Sequence, residues 1–135
     1  MNTLTLENRK KIINFVSHFS KTAKEDKWVA HYDAESDSFA ITKPKLSKEV
    51  QKKYFDDEFA FYLKKNGEVE GIFIEYFTTN FISHNKNFKA ILTNLKKISH
   101  NEEVIELKKG QTSKVIKSLE DFIIGGMNLH KCSQV

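Results

Sequence analysis

A chain of 135 residues, 39% hydrophobic and 30% charged, can build one hydrophobic core and is too ordinary in composition to be wholly disordered. No run reaches the roughly 20 apolar residues that cross a bilayer, the start MNTLTLENRKK has no secretory layout, and the one cysteine, Cys132, cannot form an internal disulfide. The expectation is a cytoplasmic protein with no membrane role and a net charge of +4, carried almost wholly by lysine because Arg9 is the sole arginine.

In chain order, Leu6 to Lys24 predicts an amphipathic helix. Ile12, Val16, Phe19 and Ala23 form its apolar stripe, widened by Phe15 and Ile13, with Thr5 as N-cap and Glu7 in the first turn. Trp28 to Asp33 and Ser38 to Thr42 read as two strands of a hairpin around Ala34 to Asp37. Lys43-Pro44-Lys45 breaks the pattern, since proline cannot donate to a ladder. Ser47 to Tyr54 is open between a short helix capped by Ser47 and a mobile loop.

The strongest local signal is Asn66-Gly67 between Phe59–Lys64 and Val69–Phe77, which predicts a hairpin with a type I′ turn. That turn sets Lys65 opposite Glu68, Leu63 opposite Glu70, Phe61 opposite Ile72 and Phe59 opposite Ile74. One face then carries Phe59, Phe61, Leu63, Ile72, Ile74 and Tyr76 toward the core. The other carries Ala60, Tyr62, Phe73 and Phe77 among Glu58, Lys64 and Glu75. A strand pair apolar on both faces is usually covered on both; the cover is either the protein's own helices, the favoured reading, or a partner.

Asn85 to Ile98 predicts a further helix, with Phe88, Ile91, Leu92, Leu95 and Ile98 inward and Lys86, Lys89, Lys96 and Lys97 outward. Glu103 to Leu107 reads as a strand. A last helix is expected from Thr112 to Ile124, with Val115, Ile116, Leu119, Phe122 and Ile123 inward and Gly125-Gly126 as its C-cap. The fold class is therefore α+β, a small antiparallel sheet packed by an N-terminal helix and two C-terminal helices. Residues 1–126 form one domain and 127–135 a flexible tail.

Catalytic constellations are missing from the sequence. Asp33-Ala34-Glu35-Ser36-Asp37 alternates carboxylates, but an EF-hand calcium loop would need glycine and glutamate where Ser38 and Pro44 stand, so a hairpin turn is expected. Glu58 and Glu75 face each other in the predicted register, where they could share a proton or a cation, or simply spread into solvent. Five scattered histidines show no zinc spacing, and there is no phosphate-binding or nucleophile-elbow motif. No catalytic residue, metal or cofactor is expected.

The residues Tyr32, Asp33, Asp37 and Ile41, then Gly67, Gly71, Ile72 and Ile74, spell Tyr-Asp-x-x-x-Asp-x-x-x-Ile and Gly-x-x-x-Gly-Ile-x-Ile. Over Trp28 to Phe77 this resembles a small prokaryotic domain-of-unknown-function family with two such hairpins, some of whose members are antitoxins. The family is shorter, and its second hairpin reads Gly-Ile-Glu where Phe73 stands here. The resemblance implies a local β fold and an antitoxin or immunity-like inhibitor. The function expected is a non-enzymatic protein-binding module with Tyr62, Phe73 and Phe77 as partner-binding residues. Two alternatives stay open: a nucleic-acid-associated protein using Lys86, Lys89, Lys96 and Lys97, and a homo-oligomer burying Tyr62, Phe73 and Phe77 against itself.

Overall fold

The computed structural model describes residues 5–55, 57–89, 104–106 and 109–133. It is an α+β protein with a six-stranded, wholly antiparallel sheet. The strands are β1 (Val29–Asp33), β2 (Ser38–Thr42), β3 (Gln51–Tyr54), β4 (Phe59–Leu63), β5 (Val69–Ile74) and β6 (Val104–Glu106). Their spatial order is β3-β4-β5-β2-β1-β6.

The N-terminal stripe forms as expected, but on two helices, α1 (Leu6–Val16) and α2 (Phe19–Glu25). Thr5 caps α1 by accepting from the Asn8 N–H. The break falls at Ser17-His18, whose hydroxyl and ring nitrogen both turn back to the Asn14 carbonyl, a local alternative to the helix ladder. Lys27 closes α2 in the left-handed region, and the Trp28 N–H returns to the Ala23 carbonyl at 2.9 Å. Ile12, Val16, Phe19 and Ala23 are buried, whereas Ile13 faces solvent.

The central hairpin keeps the expected pairs Phe59–Ile74 and Phe61–Ile72 but shifts between Tyr62 and Leu63, so that Leu63 lies opposite Val69 rather than Glu70. The turn is the cause. Only Gly67 has positive φ (91°), and its N–H bonds the Lys64 carbonyl while the Lys64 N–H bonds Glu68. This is a three-residue loop closed by a left-handed glycine, in place of the expected type I′ turn. Segment 47–54 is neither helix nor loose loop: Gln51–Tyr54 pairs with β4 as an edge strand.

Strand β5 also ends early. Tyr76 takes a left-handed conformation (φ 50°) and starts a wide helical turn, Phe77–Phe81, which runs into the short α3 (Ile82–His84) and a tight turn at Lys86–Phe88. Phe77 is thereby carried into the core, where it stacks on Phe39 at 4.7 Å, and Tyr76 is left exposed. Both assignments reverse the expectation. Of the predicted helix from Asn85 to Ile98, the part beyond Lys89 lies outside the described residues; within it Phe88 is buried, as expected. The last helix, α4 (Lys109–Ser133), runs through Gly125-Gly126 rather than capping there, so residues 127–133 are helical rather than a loose tail.

The core is one cluster. It joins Ile12, Val16, Phe19 and Ala23 with Val115, Leu119 and Ile123 of α4, with Phe77, Phe81 and Phe88, and with the strand residues Ala30, Tyr32, Phe39, Ile41, Phe59, Phe61, Leu63, Ile72 and Ile74. All those strand residues lie on one face of the sheet, as the pairing shows. The described helices therefore stack on that face, while the helix expected beyond Lys89 lies outside the described residues. No described helix is long and apolar enough to cross a membrane.

Candidate functional site on the second sheet face

Cross-strand pairing lays out the opposite face in rows. One row runs Lys52, Tyr62, Gly71, Thr42, Val29; the next runs Tyr54, Ala60, Phe73, Ala40, His31. Among the described residues, Ala60 is the one buried hydrophobic residue outside the core cluster. Lys52 reaches across from the edge strand to set its ammonium 3.7 Å from the centre of the Phe73 ring, a cation–π contact. Tyr62 meets Phe73 edge-on, with ring centres 6.1 Å apart.

Gly71 makes that arrangement possible. A Cβ there would lie 2.9 Å from the Tyr62 ring and 2.7 Å from the Thr42 methyl, so the absence of a side chain lets Tyr62 lie close against β5. Tyr62 and Phe73 stay half-buried. Burial raises the Tyr62 phenol above its ordinary range.

Two further tyrosines and a carboxylate complete the cluster. Tyr54, on β3, donates its hydroxyl to Glu75 just past the end of β5. Burial, then the bond and charge of Glu75, push the Tyr54 phenol to about 12; Tyr62 and Tyr76 also lie within electrostatic reach of it. Tyr76 is the most exposed aromatic side chain here, at 57%. Of the chain's four tyrosines, Tyr54, Tyr62 and Tyr76 gather at this end of the sheet, and only Tyr32 is in the core. Such a grouping of amphipathic rings is the composition of protein-binding surfaces.

The structure thus brings together Tyr62 and Phe73 of the expected partner-binding set and removes Phe77 from it. Lys52, Tyr54 and Tyr76 are the members that sequence reasoning missed; Glu75 was placed on this face, but as the neighbour of Glu58 rather than the acceptor of Tyr54. The lysines of the nucleic-acid alternative are divided: Lys86 and Lys89 are exposed around the Lys86–Phe88 turn, and Lys96 and Lys97 lie outside the described residues. Glu58 and Glu75 are ladder neighbours, the Glu75 N–H reaching the Glu58 carbonyl at 2.7 Å. Their carboxylates part company, Glu58 accepting from Asn80 and Glu75 from Tyr54.

Two other polar centres hold the fold. Asp37, left-handed at φ 51°, accepts from the Tyr32 hydroxyl and from the N–H and hydroxyl groups of both Thr78 and Thr79. Burial opposes its ionisation, but the Thr78, Tyr32 and Thr79 bonds prevail and lower its pKa. Glu70, only 4% exposed, binds the Ser47 N–H and hydroxyl and lies 3.7 Å from Lys43. Burial again opposes, and the Ser47 bonds and lysine charges lower its pKa. A groove of about 630 Å³ between α1 and the hairpin tip is lined by Lys10, Lys11, Lys43 and His18 together with Asp26 and Glu68. Lys11 is tied to the Asn66 carbonyl and Lys43 to Glu68 and Glu70, so its cations are largely satisfied from within. Among the described residues, no group of three or more His, Cys, Asp or Glu side chains could hold a metal ion.

No family model, curated protein or solved structure matches this chain.

Proposed function

We propose that this protein is a non-enzymatic protein-binding module whose docking surface is the sheet face around Tyr62 and Phe73, opposite the described helices. The observation that carries the reading is the gathering of Tyr54, Tyr62 and Phe73 on the sheet, with Tyr76 exposed just past β5 and the described helices stacked on the other side. Rings with few rotatable bonds, held by strands, lose little entropy on contact and bury large areas. A nucleic-acid platform would want unoccupied ring faces beside free cations, whereas here Lys52 already lies over Phe73. An antitoxin or immunity-like inhibitor is the finer form of the proposal, supported by the resemblance over Trp28 to Phe77.

The test is affinity purification from native cells of wild-type protein and of a Tyr62→Ala, Phe73→Ala variant, with circular dichroism to show that both fold. A stoichiometric protein partner recovered with the wild type and lost with the variant supports the reading. A partner held equally by both, or none with either, defeats it. Sizing in solution separates a second copy of this chain from a different protein.

A further inference from the structure

The same face indicates what the partner must present. Its rings already hold one cation, the Lys52 ammonium over Phe73. By register the face carries the carboxylates Glu75 and Asp33. Its other lysine, Lys64 at the hairpin end, is paired with Glu68, and Asp33 is tied to the Glu35 and Ser36 N–H groups, which leaves Glu75 as the carboxylate beside the rings. Glu75 accepts from the Tyr54 phenol, and a carboxylate has about four lone-pair sites, so its capacity is not exhausted by that bond. The phenol, pushed up to about 12, remains a proton donor at neutral pH.

Resting on the docking reading above, we infer that the face receives a basic side chain of a protein partner, a lysine ammonium or arginine guanidinium set against Glu75 among the rings of Tyr54, Tyr62 and Tyr76. Aromatic faces and a carboxylate both attract a cation, and at a half-buried site their effects reinforce one another. Lys52 is then an internal occupant that competes for the same patch. An acidic partner, or a nucleic-acid backbone, would meet Glu75 with like charge.

The probes are the tripeptides Gly-Arg-Gly and Gly-Glu-Gly with blocked ends, titrated into the full chain and followed by amide chemical shifts. The arginine peptide is expected to move the Tyr62, Phe73 and Glu75 amides, with saturation in the millimolar range or weaker. Glu75→Gln keeps an acceptor for Tyr54 and should weaken binding about three- to tenfold, as loss of one such contact would. Lys52→Ala should strengthen it, a direction that a merely structural lysine would not produce. No shift with the arginine peptide, equal shifts with the glutamate peptide, or an unchanged response in Glu75→Gln each overturn the inference. If the partner captured from cells is lost in the Tyr62→Ala, Phe73→Ala protein but held unchanged by Glu75→Gln, the basic-side-chain inference falls and the docking reading stands.

Discussion

The two faces of the sheet are made from the same strands and end up with different chemistry. On the helix-covered face, Phe39, Phe59, Phe61, Ile72 and Ile74 are fully buried, and their rings continue into Phe77, Phe81 and Phe122. On the other face the small residues Ala60, Gly71, Ala40 and Thr42 alternate with larger ones, and the rings among them are Tyr54, Tyr62 and Phe73. Antiparallel sheets tolerate one solvated face because their connections need not cross it. Rings ending in a hydroxyl suit a face that is half wet.

The contrast predicts that substitutions on the covered face cost folding and those on the free face cost binding. Phe59→Ala should show the largest effect, because the ring packs against Phe61, Phe81 and Phe122 with centres 4.9 to 6.2 Å away. About 3 to 5 kcal/mol of stability should be lost in urea unfolding. A loss under about 1 kcal/mol would mean that the helical layer does not seal this face as described.

Glu70→Ala comes next. It leaves the Ser47 N–H and the Lys43 ammonium without their buried acceptor, at an expected cost of about 2 to 3 kcal/mol. Hydrogen exchange at Ser47 should quicken along with the drop in unfolding midpoint. This pin holds the 43–50 segment that leads into β3, so its loss should also loosen Lys52 and Tyr54 on the free face. Damage crossing from one face to the other in this way would sharpen the comparison, since it identifies the edge strand as the shared element.

Asp37→Ala should cost about 1 to 2 kcal/mol, the scale of a helix cap, because the carboxylate serves the first N–H groups of the turn after β5. Its pKa is lowered in the folded protein. The stabilisation is therefore fully present above the unfolded value of about 3.9 and fades as pH falls through the folded one. Unfolding measured from pH 7 down to pH 2 should show a shallower acid loss in the variant than in the wild type. Parallel curves would assign the acid sensitivity to Glu70, which shifts in the same direction.

Much of the covered face was legible because alternation and helical periodicity report burial directly. The stripe Ile12, Val16, Phe19, Ala23 and the pairs Phe59–Ile74 and Phe61–Ile72 follow from spacing alone. What escaped was decided by backbone conformation at single residues. Asn-Gly is compatible with two loop lengths, and the choice moved the register by one residue near the turn. Positive φ at Tyr76, a residue type that rarely adopts it, turned Phe77 inward and Tyr76 outward. Gln51 to Tyr54 has neither alternation nor β-branched residues, as befits a short lysine-bearing edge, so β3 and with it Tyr54 could not be seen. The candidate site was half legible for the same reason: Tyr62 and Phe73 lie in the readable hairpin, while Tyr54 and Tyr76 depend on the unreadable edge and the unreadable bend.

The smallest expected effect on folding belongs to the free face. Tyr62→Ala and Phe73→Ala remove half-buried rings whose contacts are mostly with each other and with Lys52, so each should change stability by no more than about 1 kcal/mol. Against a partner bound at this face the same substitutions should cost more, about 2 kcal/mol or above, as central aromatic anchors do. The ratio of binding loss to folding loss is the quantity that separates the two faces. For Phe59→Ala it should lie well below one, and for Phe73→Ala well above. If Phe73→Ala instead destabilises the fold as strongly as Phe59→Ala, its ring is supporting a second packed layer, and the free face is part of the protein's own interior rather than a surface offered to another.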